Sequence, residues 1–526
     1  MTQPTATARG SGATPWFARA AWVSGLLGAW LLLSAGWRPL MLPDEGRYVG
    51  VAWEMLNGDL LLPTLLGLPY FHKPPLMYWI DMAAIGLLGP TEFAARVAPA
   101  IGAWLMGAAL WLHLRRSAGA RMAALGLGVL ATTPFFFVGG QFANHDMLVA
   151  GWITVAITCA VRALEPATPH PVRWVASAWA AAAAAVLSKG LIGVVLPALV
   201  LLPWLAVQGR WRDLLRLLHP AGIAAFVLLA APWFVAMHLR VPGFLDYFFV
   251  EQHFRRYAQG GFNNPRPAWF FFVVLPLLTL PWSLWLWAAW RSRRAWRGGP
   301  ADRARGPAAS GDGDAPAAPS SSAHWGLHAW WVLAVLLFFS LPRSKLVGYV
   351  LPALAPWAAL LGGAVARGRG WRILLPLAAL ACLGLVAGVA WKGPATDRDI
   401  GLALGQRLQA GERVVFVGEA FFDVPFYARM QAPPVVLLDW HDPSIPNQDN
   451  WRKELWDAAR FAQPEDAARL WSLERRGELL CGSGRVWFVA ARGWQPPEEL
   501  PGLERVAEGR RSELWRGTAQ PGVACR

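Results

Sequence analysis

The chain has 526 residues, of which 55% are hydrophobic and 15% are charged, and its mean hydropathy is +0.34. Soluble domains carry about 25% charged residues, so this composition excludes an ordinary soluble protein and indicates a polytopic membrane protein. The net charge of +15 follows from an excess of Lys and Arg in cytoplasmic loops, and we expect no nucleic-acid partner. The first apolar run, near 20–35, has no clean cleavage site behind it and is predicted to be a retained signal-anchor helix.

Eleven apolar segments are long enough to span a membrane. They lie near 18–37, 93–113, 120–138, 147–164, 174–188, 190–207, 219–239, 268–290, 325–341, 346–366 and 371–391. The shorter segment 75–88 is predicted to be interfacial, because the basic clusters near 115–121, 210–216, 291–305 and 367–372 then share the side of the N-terminus. We therefore predict a mostly α, polytopic helix bundle of about eleven spans. Two further spans would give thirteen with the same sidedness.

The composition changes after residue 391. Strands are predicted at 412–417, 434–439 and 485–490, and amphipathic helices at 398–410, 450–461 and 464–476. This alternation favours an α/β domain on the outer face. We predict a transmembrane catalytic domain over 1–395, with a flexible cytoplasmic linker at 298–322, and a periplasmic α/β domain over 396–526. A disulfide between Cys481 and Cys525 is one outcome of that location, and free thiols are the other.

Charged and metal-capable side chains recur at the outer ends of the predicted spans. They are Asp44, Glu45, Arg47, His72, Lys73, Asn144, His145, Asp146, Lys189, Glu251, His253, Arg255, Arg256, Arg266, Arg343 and Lys345, with Tyr349 one turn further on. A single Lys or Arg at this depth is explained by snorkelling to lipid headgroups. The whole set contains carboxylates as well as bases and indicates a cavity. Cations stabilise phosphate oxygens and a carboxylate can hold or deprotonate an acceptor, which suits a lipid-phosphate-linked sugar.

Several short motifs in this order resemble the class C glycosyltransferases that use polyprenyl-phosphate sugars. The motifs are Asp44-Glu45-x-Arg47-Tyr48, Tyr70-Phe71-His72-Lys73-Pro74-Pro75, Asp146-Met147, Ser188-Lys189-Gly190, Leu202-Pro203-Trp204, and the segments 247–257 and 344–352. Within this superfamily, which also includes protein O-mannosyltransferases, the chain most resembles the lipid A aminoarabinose transferases. That resemblance implies a bundle with interfacial helices in the outer loops and a C-terminal periplasmic α/β domain in the bacterial inner membrane.

The resemblance also implies roles for individual residues. Asp44 would be the catalytic carboxylate and Asp146 a second cavity carboxylate. Lys73, Arg255 and Arg256 would bind the carrier phosphate. Glu45, Arg47, Tyr48, Tyr70, Lys189, Lys345 and Tyr349 would line the cavity, with Glu45 neutralising a neighbouring cation. His72 stands where the family commonly has Glu, which puts the sugar specificity in doubt, and His72 with His253 could still hold zinc.

The implied reaction moves 4-amino-4-deoxy-L-arabinose from undecaprenyl phosphate to a lipid A phosphate, with inversion and without a required cofactor. The expected partners are the undecaprenyl-phosphate-linked sugar, lipid A and the surrounding membrane lipids. One alternative keeps the donor and transfers the sugar to protein Ser or Thr or to another surface glycan. A transporter or flippase is a different class, and the clustering of charge on one face and the lack of an inverted repeat disfavour it.

Overall fold

The computed structural model describes residues 16–255, 264–286, 321–366, 368–481 and 484–518, with side chains omitted at 16–19, 253–255 and 321–324. Its helices are α1 (Trp16–Leu32), α2 (Asp44–Asn57), α3 (Leu76–Leu88), α4 (Val97–Ser117), α5 (Ala120–Ala131), α6 (Pro134–Gly139), α7 (His145–Ala163), α8 (Pro171–Lys189), α9 (Ile192–Val207), α10 (Trp211–Leu217), α11 (Pro220–Arg240), α12 (Phe270–Leu278), α13 (Ser321–Ser340), α14 (Leu354–Val365), α15 (Trp371–Lys392), α16 (Arg398–Gly405), α17 (Val424–Tyr427), α18 (Trp451–Ala459) and α19 (Pro464–Ala467). Single 3₁₀ turns or short 3₁₀ helices cover Ala94–Arg96, Val347–Ala353, Ile445–Asn447 and Leu473–Leu480, and a π-helix covers Asp246–Arg255.

The membrane character of the chain lies in its apolar helices. Every one of the eleven predicted segments overlaps a described helix. Five helical stretches are long and apolar enough to cross a membrane, namely Ala94–Ser117, His145–Ala163, Pro220–Arg240, Val347–Val365 and Trp371–Lys392. Shorter apolar helices lie at Ala20–Leu32, Leu76–Leu88, Ala120–Ala131, Ile192–Val207 and Trp325–Ser340. The predicted multi-pass helical architecture is confirmed, whereas the number of crossings and their sidedness stay predictions.

Two short helices follow the first apolar helix. α2 begins at Asp44, so the charged stretch singled out in the sequence forms the first turn of a helix, where carboxylates favour the positive end of the helix dipole. α3 covers 13 residues, which reach about 20 Å at 1.5 Å per residue and fall short of a bilayer core of about 30 Å. The length of α3 is therefore that expected of an interfacial helix.

The C-terminal region contains a six-stranded mixed sheet. Its strands are β3 (Arg413–Val417), β4 (Val435–Leu438), β5 (Leu470–Ser472), β6 (Arg485–Ala491), β7 (Glu504–Glu508) and β8 (Ser512–Thr518), while β1 (Thr64–Leu65) and β2 (Leu68–Pro69) form a hairpin elsewhere. The strand order is β5-β4-β3-β6-β8-β7, parallel from β5 to β6 and antiparallel through β8 and β7. The three predicted strands are confirmed. The predicted helix at 464–476 is wrong, because that stretch divides into α19, β5 and a 3₁₀ helix.

α2 packs directly against the loop that leads into α17. A Cβ at Gly46 would lie 3.0 Å from the backbone nitrogen of Asp423 and 2.7 Å from a methyl of Leu42, so only glycine fits there without displacement. About two turns further on, the Trp53 indole donates to the Met430 carbonyl at 2.8 Å. The apolar core around α2 and α3 is accordingly continuous with that of the C-terminal sheet.

Candidate active site

Glu45 is the buried ionic centre that fixes the start of α2 to the bundle. Its side chain has no exposed surface and pairs with Arg38 and, at 2.9 Å, with Arg96. The backbone N–H groups of Met41 and Ala143 also donate to its carboxylate, at 2.8 and 2.9 Å. Burial alone would raise the pKa of Glu45, but the charges and hydrogen bonds of Arg96 and Arg38 lower it to about 2. Glu45 is thus an anion enclosed by two cations and presents no surface to a substrate in this conformation.

Asp44 lies on the outer side of the same turn and is more than a third exposed. Its carboxylate accepts a hydrogen bond from Arg47 Nη2 at 2.6 Å. The other terminal nitrogen of Arg47 donates to both oxygens of Glu454, at 2.9 and 2.7 Å. Glu454 is on α18, so Arg47 joins a carboxylate at the bundle surface to one from the C-terminal region. Glu454 is not among the site residues predicted from the sequence.

His72 lies between Tyr70 and Tyr247, which come from two separate segments of the chain. Its ring stacks on Tyr70, with centroids 4.7 Å apart and planes 5° apart. His72 Nε2 is 2.9 Å from the Tyr247 hydroxyl, and Nδ1 is 3.9 Å from Glu454 Oε1. Lys73 Nζ donates to the His72 carbonyl at 3.1 Å. The segments around His72 and Tyr247 therefore meet, with Glu454 beside them.

A second ionic cluster joins three elements of the bundle. Asp146, at the start of α7, forms an ion pair with Lys189 at the end of α8. Asn144 caps α7 by accepting from the Asp146 N–H, and its Nδ2 donates to Asp146 Oδ2 at 3.1 Å. The Lys189 ammonium also lies 4.8 Å from the ring centroid of Tyr349. A Cβ at Gly348 would overlap the Asp146 carboxylate, so the glycine allows this close approach.

Tyr48 and His145 connect the two clusters. Their rings meet edge to face with centroids 4.7 Å apart. Burial raises the pKa of the Tyr48 hydroxyl; the charge of Arg47 lowers it, and the carboxylates of Asp44, Glu454 and Asp146 raise it. Charges from both clusters, the one with Asp44 and the one with Asp146, therefore act on the Tyr48 hydroxyl. His145 is buried, and within the described residues neither of its ring nitrogens has a hydrogen-bond partner.

Lys345 is buried and its ammonium is bonded to main-chain carbonyls. It donates to the carbonyl of Arg266 at 3.0 Å and to that of Pro342. An isolated antiparallel bridge between Pro265 and Ser344 holds the two segments together. Lys345 was predicted to line the cavity; of the predicted phosphate-binding groups, Arg256 lies outside the described residues, as does the side chain of Arg255.

Zinc binding at His72 is not supported by the residues around it. In the described parts of the chain, one group of three side chains could hold a metal ion, and it is the exposed set Asp439, His441 and Glu474 near the C-terminal sheet. His72 belongs to no such group there, and its Nε2 lies 2.9 Å from the Tyr247 hydroxyl. The side chain of His253 lies outside the described residues, so its predicted part in a metal site stays a prediction. We derive no step of the reaction from a metal.

Comparison with known proteins gives both a sequence and a structural match. Residues 72–235 match the family described as dolichyl-phosphate-mannose-protein mannosyltransferase. An undecaprenyl phosphate-alpha-4-amino-4-deoxy-L-arabinose arabinosyl transferase of Aeromonas salmonicida (strain A449) is 32% identical over 372 residues, covering 68% of this chain and 64% of the relative. The enzyme of the same name from Pseudomonas aeruginosa (strain UCBPP-PA14) is 32% identical over 373 residues, covering 66% and 62%.

The crystal structure of ArnT from Cupriavidus metallidurans bound to undecaprenyl phosphate superimposes with a TM-score of 0.76, covering 98% of this chain and 99% of that one at 24% identity. The chain has the fold of a class C glycosyltransferase. The resemblance that the sequence motifs indicated is thereby confirmed. The alignments span less than two thirds of the length of the two arabinosyl transferases. The class C fold accounts for the combination of an apolar bundle, short surface helices and a C-terminal sheet.

Proposed function

We propose that this chain is an inner-membrane glycosyltransferase that moves 4-amino-4-deoxy-L-arabinose from undecaprenyl phosphate to a lipid A phosphate on the periplasmic side. The observation that carries the proposal is the convergence of the Asp44–Arg47 and Asp146–Lys189 pairs on Tyr48 and His145. The relatives with the highest sequence similarity reported above bear the name of this activity. The outer face of the bundle, the division into regions 1–395 and 396–526, and the periplasmic orientation are parts of the same proposal.

The reaction is a displacement at C1 of the sugar. An oxygen of the acceptor phosphate forms a bond to C1 while the bond from C1 to the carrier phosphate breaks, which inverts the anomeric centre and releases undecaprenyl phosphate. Lys73, with Arg255 and Arg256, stabilises the charge that builds on the leaving phosphate. A phosphate monoester is largely ionised at neutral pH and needs no strong base. Asp44 therefore positions the acceptor or holds the amino group of the sugar.

The residues of the second cluster shape the opposite wall of the site. Asp146 and Lys189 neutralise each other in the absence of substrate, and Tyr349 covers the ammonium. A donor phosphate that enters beside Lys189 would compete with Asp146 for that ammonium. Lys345 supports the wall through the loop carbonyls that it binds. Tyr70 stacks on His72, and Lys73 donates to the His72 carbonyl, so this stacking helps to hold Lys73 in place.

The experiment is a transfer assay in membranes with polyprenyl-phosphate aminoarabinose as donor and lipid A as acceptor. Asp44→Asn and Lys73→Ala should each lower turnover by on the order of a hundredfold or more, because one removes the acceptor-side carboxylate and the other a phosphate contact. The control is Asp442→Asn, which removes a partly exposed ion pair with Arg452. Wild-type turnover in both site variants would contradict the assignment.

A second candidate keeps the donor chemistry and changes the acceptor. The match of residues 72–235 to a family described by protein mannosyl transfer favours a protein hydroxyl as the alternative acceptor. In that reaction Asp44 would act as general base, since a hydroxyl must lose its proton. Mass spectrometry of lipid A and of periplasmic proteins from cells with and without the chain separates the two. A sugar found on protein and never on lipid A would favour the alternative.

A further inference from the structure

We propose that Glu454 is a positioning residue that draws Arg47 away from Asp44 and so limits how far Arg47 neutralises the Asp44 carboxylate. The inference rests on the proposed function, because it concerns the carboxylate assigned there to the acceptor side. Arg47 Nη1 is bonded to both oxygens of Glu454, at 2.9 and 2.7 Å, whereas Nη2 makes one bond to Asp44 Oδ1 at 2.6 Å. The guanidinium is thus shared between two carboxylates, and Glu454 takes the larger share.

Burial makes this competition strong. The side chains of Arg47 and Glu454 are 14% and 13% exposed, against 37% for Asp44. A charge-assisted pair gains strength where water is excluded, so the contact of Arg47 with Glu454 outweighs its more exposed contact with Asp44. Arg47 also has a buried Nε without a hydrogen-bond partner among the described residues. A guanidinium that lost Glu454 would turn its free donors to the nearest anion, which is Asp44.

Glu454 also touches the loop that carries the proposed phosphate ligand. The Tyr70 hydroxyl donates to Glu454 Oε2 at 3.4 Å, and His72 Nδ1 lies 3.9 Å from Oε1. Lys73 follows directly in the chain. One carboxylate from the C-terminal region therefore meets both the acceptor side, through Arg47, and the carrier-phosphate side, through the 70–73 loop.

Glu454 lies in the first turn of α18, whose start is fixed by a capping side chain. The Asn450 side chain caps this helix by accepting from the backbone N–H groups of Arg452 and Lys453, at 3.0 and 3.3 Å. On the same helix Arg452 pairs with Asp442, both about a quarter to a third exposed. The Asp442–Arg452 pair is the matched control, because it has the same chemistry on the same helix and has no contact with Arg47.

The first experiment is a double-mutant cycle in the transfer assay. Glu454→Gln should lower kcat at least tenfold, because Arg47 then turns to Asp44, and the change in the donor KM through the contacts with Tyr70 and His72 should be smaller than the change in kcat. In an Arg47→Gln background the same substitution should change kcat less than twofold, because there is no guanidinium left to redirect. Glu454→Asp should retain an intermediate rate, and it replaces Glu454→Gln if the latter does not fold. Asp442→Asn should match the wild type.

The second experiment does not depend on turnover. Labelling with a carbodiimide and an amine, followed by peptide mass spectrometry, reports how available the Asp44 carboxylate is. Labelling of Asp44 should fall at least threefold in Glu454→Gln and recover in the Arg47→Gln/Glu454→Gln double variant. Equal labelling of Asp44 in the wild type and Glu454→Gln overturns the inference, as does an equal kcat loss in both backgrounds. An inactive wild type with the expected labelling pattern overturns the proposed function and leaves the inference supported.

Discussion

The sharpest stability prediction concerns Glu45→Gln, which removes one anion from between two buried arginines. A pKa of about 2 against the ordinary 4.5 corresponds to roughly 3 kcal/mol, at about 1.4 kcal/mol per pH unit. Breaking a buried pair by removing one partner costs about 3–5 kcal/mol in other proteins. Both estimates agree, so Glu45→Gln should lower the free energy of unfolding by about 3–5 kcal/mol at pH 7.

The assay is equilibrium unfolding in mixed micelles at increasing denaturing detergent, followed by tryptophan fluorescence. Because the folded-state pKa of Glu45 is lowered, the contribution of its charge is fully present above pH 4.5 and is lost as the pH falls toward 2. The difference between wild type and variant should therefore close over that range. Asp44→Asn is the control and should cost about 1 kcal/mol or less, since its pair is partly exposed. A Glu45→Gln effect below 1 kcal/mol at pH 7 would refute the reasoning.

Two further substitutions test the C-terminal junction and the second cluster. Burial, with the charge of Asp397, raises the pKa of Asp423 to about 7. The contribution of this carboxyl group to the stability of the fold is therefore fully present below pH 3.8 and is lost as the pH rises through 7. The free energy of unfolding of the wild type should fall by up to roughly 4 kcal/mol across that pH window because of this group. In thermal unfolding, the stability of Asp423→Asn should depend less on pH than that of the wild type. Identical pH profiles in the two proteins would contradict this. Gly348→Ala should push Asp146 from its ion-pair partner and lower transfer by on the order of tenfold to a hundredfold. Gly384→Ala, which meets no neighbour, should match the wild type, and equal activity in both variants would refute the close-approach argument.

The helix bundle could be predicted because its signals are long and local. Apolar runs of about twenty residues identify helices with little ambiguity. The distribution of Lys and Arg predicts that 75–88 is interfacial; the 13 residues of α3 are compatible with this position, which stays a prediction. The predicted 120–138 segment is interrupted after Ala131, where Thr132 and Thr133 precede Pro134 and α6 begins. A proline at the first position of a new helix explains that break.

The C-terminal sheet could be predicted only in part. β3, β4 and β6 are continuous apolar runs typical of strands buried on both faces. β8 carries Glu513 and Arg516 among its residues and reads as polar, although Glu513 is buried and accepts from the Gly493 N–H at 3.0 Å. An edge hairpin held by such polar contacts has no apolar pattern to reveal it.

More of the residues in the candidate site could be predicted from the sequence than of the contacts between them. Asp44, His72, Asp146 and Lys189 were singled out as outer charged residues, and the structure places them in two adjoining clusters. Glu454 could not be found, because it is 407 positions from Arg47 and looks like any surface Glu on an amphipathic helix. The amphipathic pattern of 450–461 predicts a helix there, but it does not indicate which residues that helix contacts.

The position of α2 between bundle and sheet has a consequence for biosynthesis. α2 emerges from the ribosome some 400 residues before its partner α18, which at roughly 5–20 residues per second is an interval of about 20–80 s. During that interval Glu45 can already bind Arg96, whereas Arg47 still lacks Glu454. The nascent bundle therefore inserts into the membrane with its charged pocket unfinished. Completion of the pocket requires synthesis of α18, which lies in about the last seventh of the chain, so a product terminated before α18 would carry Asp44 and Arg47 without Glu454.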